Sequence, residues 1–219
     1  MYLLPRIRDL CADFLFPKNQ KVLGLETLST EELLNALPRA EPLKDKGTFA
    51  LFDYNHPLVK EIIWELKYSG NTKMADKLGE ILYDVIRDKL TDSRLFEKWA
   101  RPILVPIPVS DKRRFERGWN QSELLAEQVI RRDNKKVFRY LPRQLVKLRH
   151  TESQTKTASR KERLENLTNS MKVLNTPSVA GGYVIVLDDV TTTGSTFAEA
   201  RRALCAAGAK KILCIAIAH

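Results

Sequence analysis

Val184-Ile185-Val186-Leu187 is an unbroken apolar run that stops against two adjacent acids, Asp188 and Asp189. A run so short and so uniformly apolar is the pattern of a strand buried on both faces, which calls for a sheet covered by helices on each side. The residues that follow obey that demand. Thr196–Ala207 has helical spacing, Gly208 stands where a helix C-terminus wants glycine, and Lys211–Ala218 is a second apolar strand. Strand, helix, strand in this order implies a parallel pair joined by a crossover. The expected class is therefore α/β, a parallel sheet flanked by helices.

The rest of the chain supplies the other layers. Ile103–Val109 is a short apolar strand that stops at its prolines, and a helix is expected near Asn120–Arg131. Leu58, Val59, Ile62, Ile63 and Leu66 share one helical face; Met74, Leu78, Ile81, Leu82 and Val85 share another, with a Gly70-Asn71 turn between. Leu141–Leu148 is a weaker apolar segment, and residues 156–167 have helical composition. Residues 18–55 are the least patterned, apart from Ser29-Thr30-Glu31-Glu32, a capping box before Leu33 and Leu34. This predicts a loop-rich, short-helix N-terminal region over 1–55 and a main domain over 56–219.

No stretch approaches the roughly 20 apolar residues of a membrane span, and the opening residues carry charges and a proline where a secretory leader is apolar. A cytoplasmic protein is expected. Cys11, Cys205 and Cys214 form no CxxC pair, so neither a disulfide framework nor a zinc site is expected. Cys205 and Cys214 read as small buried residues.

After Asp188-Asp189 come Thr191-Thr192-Thr193-Gly194-Ser195-Thr196, opening a helix. Backbone amides at a helix start donate to phosphate oxygens, hydroxyls add donors, and glycine permits close approach. Two adjacent acids repel unless sugar hydroxyls or a magnesium ion compensate. Phosphate at one end and a diol at the other describe a ribose 5-phosphate site. The lysine of a Walker A loop is absent.

Charge points to a second anchor. The chain has 37 Lys+Arg against 27 Asp+Glu; residues 101–163 hold 17 of the former and 7 of the latter, so the remaining 20 and 20 cancel. The whole surplus of +10 falls in one stretch, the footprint of an anionic partner. Within it, the turn Pro108, Val109, Ser110 joins a strand to a helix and is crowded by Arg113, Arg114 and Arg117, whose planar forks suit diphosphate oxygens. Arg149, Thr151, Gln154 and Arg163 lie in a polar segment that suits a flap over such a ligand.

Val184–Thr196 resembles, over its full length, the phosphoribosyl-pyrophosphate (PRPP) signature of type I phosphoribosyltransferases. With Pro106-Ile107-Pro108, Arg117-Gly118-Trp119-Asn120-Gln121, and Arg149/Thr151/Gln154 followed by Arg163/Asn166, the chain resembles the ComF (ComF/GntX-like) family across roughly residues 50–219. Lys67-Tyr68 also resembles that family's element ahead of the core. Many members begin with a four-cysteine zinc module; here only Cys11 falls in that region, so zinc is not expected.

The resemblance implies a type I phosphoribosyltransferase-like sheet that binds PRPP with Mg2+. Thr192, Thr193, Gly194, Ser195 and Thr196 would hold the 5-phosphate. Asp188 and Asp189 would be the catalytic pair, holding the ribose hydroxyls and helping to place the metal, directly or indirectly. The Pro108–Arg114 turn would take the pyrophosphate. The reaction implied is phosphoribosyl transfer to a nitrogenous base with release of pyrophosphate. The rival within the same resemblance is a non-catalytic accessory of the competence and DNA-uptake type that senses PRPP or handles single-stranded DNA. A sugar-phosphate hydrolase with the same loop is a third reading. Expected partners are PRPP, an acceptor, single-stranded DNA for the rival, and a second copy in a homodimer.

Overall fold

The computed structural model describes residues 20–45, 47–91, 101–148 and 169–219. The helix expected over 156–167 and the flap residues Arg149, Thr151, Gln154 and Arg163 lie outside them.

The centre of the sheet is β6 (Tyr183–Val190), paired in parallel with β2 (Ile103–Pro106) on one side and β7 (Lys211–Ala218) on the other. β3 (Arg139–Tyr140) extends the sheet beyond β2, and β1 (Thr48–Phe52) extends it beyond β7, giving the order β1-β7-β6-β2-β3 with every pair parallel. A small antiparallel pair, β4 (Leu145–Lys147) with β5 (Met171–Val173), accounts for the apolar segment Leu141–Leu148.

Alternation along the strands sorts the core into two layers, because successive side chains face opposite sides of a sheet. Leu104, Ile185, Leu187, Leu213 and Ile215 face one layer. It also contains α1 (Gln20–Thr27), α2 (Thr30–Ala36), α3 (Pro57–Trp64), α4 (Thr72–Thr91) and, beyond a seven-residue α5 (Asp111–Arg117), α6 (Gln121–Arg132). Ile103, Val105, Val184, Val186, Cys214 and Ala216 face the other layer, packed by Phe197, Ala200 and Leu204 of α7 (Ser195–Ala206). Gly79 of α4 lies so close to α6 that an added Cβ would sit 2.2 Å from the Gln128 Cβ.

Three expectations change. The capping box is made as expected, with Ser29 Oγ accepting from Glu32 N and Glu32 accepting from Ser29 N, but among residues 20–45 and 47–55 there is also a sheet strand, Thr48–Phe52, where loop was expected. That strand lies on the N-terminal side of the boundary drawn at 55/56. Too short to show a period of its own, it is fixed by the edge of β7. The turn expected after β2 contains helix α5, capped by Ser110. Cys214 is buried as expected, but Cys205 is exposed, since it falls off the α7 face that carries Ala200, Ala203 and Leu204.

Candidate functional site

At the carboxyl end of the sheet, β6 continues three residues beyond the apolar run and takes both acids with it: Asp188 pairs with Ala216 in register. Both carboxylates are buried, at 7% and 3% exposure, a costly arrangement that needs partners. The start of α6 provides two of them. Ser122 Oγ donates to Asp188 Oδ1 at 2.9 Å, and Gln121 Nε2 donates to Asp189 Oδ1 at 3.2 Å. Asp188 Oδ1 also accepts from the backbone N of Asp189 at 2.9 Å. Burial first, and then the neighbouring Asp189 carboxylate, raise the Asp188 pKa well above the ordinary carboxylate range.

The counter-charge comes from elsewhere. Between α3 and α4 the chain makes a π-helical turn, Glu65–Ser69, closed by Gly70 at φ +58. The extra residue of a π-turn rotates the side chains it carries, and here Lys67 Nζ lies 2.6 Å from Asp189 Oδ2. Trp119 secures the turn: its Nε1–H donates to Leu66 O at 2.9 Å, and its ring covers Gly70, where a Cβ would come within 3.1 Å. Trp119 therefore clamps this turn. Compensation by sugar hydroxyls or magnesium was expected for the acid pair; a lysine of this chain already faces it.

Beyond the acids, Thr191 N donates to Ala218 O, and the chain then leaves the sheet. Thr192 and Thr193 are exposed, Gly194 takes a left-handed conformation at φ +74, and Ser195 and Thr196 open α7. Thr193 Oγ1 donates to Ser195 Oγ at 2.9 Å, pulling the loop into a tight curl over the helix start. The first-turn amides of α7 have no intrahelical acceptor and point toward this concavity.

On the β2 side, Ile107 N still donates to Leu187 O, and Asn120 Nδ2 ties Ile107 O to the start of α6. Pro108, Val109 and Ser110 are half-buried and turn the chain into α5. The three arginines diverge in role. Arg114 Nη1 donates to Glu123 at 2.9 Å; Arg117 bonds Gln121 Oε1 at 3.3 Å and stacks 4.9 Å above the Tyr68 ring; Arg113 is exposed. Lys147 of β4 stands within electrostatic range of both Arg113 and Asp188. Burial, then Arg113, push its pKa down, and Asp188 opposes the shift. Ser122 and Lys147 are site residues that no motif marked, since each arrives by tertiary packing.

Among the described residues no group of three or more His, Cys, Asp or Glu is placed to hold a metal ion. The acid pair, with Asp189 Oδ2 facing only an ammonium, fits a magnesium ion shared with ligand phosphates, the usual habit of that metal, rather than one held by protein alone.

Residues 122–219 match the family model described as "Phosphoribosyl transferase domain". The chain is 31% identical over 160 residues to DNA utilization protein YhgH of Escherichia coli O6:H1, covering 73% of this chain and 66% of that protein. It is 28% identical over 175 residues to Competence protein F of Haemophilus influenzae, covering 80% and 72%. The chain belongs to the ComF family. Its sheet is thus the phosphoribosyltransferase-like one expected, and the ComF-family chain spans about two thirds of the length of its YhgH relative. Among solved structures it is similar to the glutamine PRPP amidotransferase from B. subtilis complexed with ADP and GMP, at 18% identity, covering 70% of this chain and 30% of that one, with a TM-score of 0.42. No helix among the described residues is long and apolar enough to cross a membrane.

Proposed function

We propose that this ComF-family chain binds PRPP and transfers its phosphoribosyl group to a nitrogenous base, releasing pyrophosphate. The observation that carries the reading is the succession, along one central strand, of two buried carboxylates and a hydroxyl-rich glycine loop opening a helix. The 5-phosphate would rest on Thr192–Thr196, held by first-turn amides, hydroxyls and the helix dipole. The ribose hydroxyls would donate to Asp188 and Asp189, with the diol exchanging places with Lys67. The pyrophosphate would lie toward Pro108–Ser110, with Arg113 and Lys147 supplying positive charge as the bond to C1 lengthens and the ribose becomes oxocarbenium-like. Asp188 and Asp189 would be the residues to hold a magnesium ion, whose chemistry when bound would be to offset negative charge on the leaving group. A cytoplasmic setting belongs to the same reading.

Calorimetry with PRPP and magnesium tests it. Wild type should bind, and Asp188→Asn with Asp189→Asn should weaken binding by about 30- to 4,000-fold, the equivalent of about 2–5 kcal/mol. Absence of wild-type binding would end the reading.

A second reading, a single-stranded DNA handling role, is favoured by exposed aromatic rings, two of them paired under an arginine. Trp64, Tyr68 and Phe115 are exposed at 40%, 50% and 92%; Trp64 and Tyr68 lie 5.4 Å apart between ring centroids, and Arg117 caps Tyr68. Aromatic faces beside a basic helix are how single strands are bound without sequence preference. Two of these rings lie outside the basic stretch, while Phe138 within it is buried, so composition had located the charge and missed the platform. The names of the relatives, a DNA utilization protein and a competence protein, are in keeping with this role. Gel shifts with an oligo-dT across a salt series should show binding that falls steeply with salt; no shift at low salt would exclude it.

A further inference from the structure

The π-helical turn Glu65–Ser69 faces two ways. It carries Lys67 to the acid pair, 2.6 Å from Asp189 Oδ2, and it carries Tyr68 to the surface, where the ring lies 5.4 Å from Trp64 and 4.9 Å from the Arg117 guanidinium. A second path joins the same two places through side chains. Gln121 Nε2 donates to Asp189 Oδ1 at 3.2 Å, while Gln121 Oε1 accepts from Arg117 Nη1 at 3.3 Å. Arg117 Nη2 in turn donates to Tyr68 Oη at 3.5 Å. Asp189, Lys67, Tyr68, Arg117 and Gln121 thus close a ring of contacts that runs from the buried acids to the exposed aromatic pair.

The backbone of the turn is fixed. Glu65 is buried, its carbonyl accepts from Asn71 N, Leu66 O accepts from Trp119, and Gly70 lies under the Trp119 ring. The ammonium is held differently. It ends a flexible four-carbon stem, and the Lys67 side chain is 23% exposed against 5% for Asp189. Lys67 can therefore change partners by rotating its own side chain, whereas Asp189 must accept a new donor where it stands. Two ligands would each take one half of this ion pair. A ribose diol donates to Asp189 and displaces the ammonium. A strand stacked on Trp64 and Tyr68 brings its phosphates beside the preceding residue of the turn, Lys67, and offers that ammonium an anion outside the pocket. Both events break the same contact. Whichever ligand binds first meets that cost, so the second binds more tightly, and the effect is reciprocal.

We infer that Lys67 couples the two sites, so that a single-stranded polynucleotide on the Trp64–Tyr68 face raises the affinity for PRPP, and PRPP raises the affinity for the strand. The inference rests on both readings above and joins them: the nucleic acid becomes a regulator of the PRPP site rather than an alternative to it. With neither ligand bound, the Lys67 ammonium stands at the place of the ribose hydroxyls. With the strand bound, it turns outward and leaves Asp189 open to accept them.

Calorimetry with PRPP and magnesium, without and with saturating oligo-dT, reads the coupling directly. PRPP should bind about 5- to 20-fold tighter in the presence of the oligonucleotide, the lower part of the range for coupled sites, since a single ion pair is shared. Gel shifts should show oligo-dT gaining the same factor when PRPP is added. Asp189→Asn removes the carboxylate that holds the ammonium. Without PRPP it should bind oligo-dT tighter than wild type by a similar factor, and by more than Asp188→Asn, which leaves the Lys67 contact in place. Lys67→Met keeps the stem and removes the charge, so the two PRPP affinities should become equal; a lysine that only supported the fold would leave their ratio as it is in wild type. If PRPP does not bind, the transferase reading falls and the coupling with it. If PRPP binds and oligo-dT does not, the coupling falls and the transferase reading stands. If both bind and neither tightens the other, both readings stand and the coupling is overturned. Equal oligo-dT affinities for wild type and Asp189→Asn would overturn the part given to Lys67, whether or not Lys67→Met folds.

Discussion

The β6–loop–α7 limb and the α3–π-turn–α4 hairpin build opposite sides of one site by different means. The limb is local: apolar strand, acids, hydroxyls, glycine and helix follow one another in the chain, so chemistry and geometry are written in a single segment. The hairpin contributes one ammonium, Lys67, through an irregular turn whose direction depends on Trp119, Gly70 and the packing of α4 on α6. In the proposed reading the limb supplies the groups that would recognise a ligand, while the hairpin supplies an ammonium against the buried acid pair. A site of this kind needs both, and only one of them is a motif.

The largest effect should come from breaking the link between the two. Lys67→Ala leaves the Asp189 carboxylate, whose side chain is 5% exposed, without a cation. Removing one partner of a buried pair costs more than the pair is worth, because the survivor stays desolvated. Urea denaturation should show a loss of about 2–4 kcal/mol, and Lys67→Ala combined with Asp189→Asn should recover most of it, giving a coupling of about 2 kcal/mol in a double-mutant cycle. A loss under about 0.5 kcal/mol would mean that the contact behaves as an ordinary surface pair and that the hairpin is not the limb's counter-charge.

The hairpin's position can be disturbed without touching any charge. Alanine normally favours a helix over glycine by about 1 kcal/mol, so propensity alone predicts that Gly79→Ala stabilises α4. The structure reverses the sign: the new Cβ meets Gln128 Cβ at 2.2 Å and Gln128 backbone at 3.1 Å. Overpacking of this kind costs about 1–3 kcal/mol, and thermal unfolding should show a lowered midpoint. A raised midpoint would show that α4 and α6 slide apart freely, and that the site tolerates a displaced hairpin.

These two experiments bear on how much of the molecule was legible in its sequence. β6, α7 and β7 were, because burial on both faces and a helical stripe leave strong periodic traces, and so was the position of Asp188, Asp189 and Thr192–Thr196 between the end of β6 and the start of α7, because they sit in that same segment. The antiparallel pair β4–β5 and the edge strand β1 were not; strands of three to five residues without an aliphatic run like that of β2 leave no pattern to read, and pairing with a neighbouring strand decides them. Lys67 carried a family resemblance but no partner, and Lys147 and Ser122 carried neither. Arg114 was grouped with Arg113 and Arg117 by its neighbours in sequence, yet Glu123 of α6 takes it. Residue type and spacing mark candidates; which of them converge is settled by long-range packing.

The smallest effect, and the one that probes the limb alone, is Asp188→Asn. Asp188 is buried beside a second carboxylate, and both facts disfavour its charged form. An amide at that position keeps an oxygen to accept from Ser122 Oγ and from Asp189 N, and it removes the repulsion. At neutral pH the variant should therefore be more stable than wild type, by about 1 kcal/mol, while losing PRPP affinity, the trade expected where function holds a group in an unfavourable state. The pH dependence fixes the sign. Because the folded-state pKa of Asp188 lies above its unfolded value, the folded protein holds the proton more tightly. That contribution to stability is fully present below the unfolded value, near 4, and is lost as pH rises through the raised one. Wild-type stability should thus decline over that interval relative to Asp188→Asn, with the two curves converging toward acid. Parallel curves across the interval would mean that Asp188 carries no burden in the folded state, and that Lys67 compensates both acids rather than Asp189 alone.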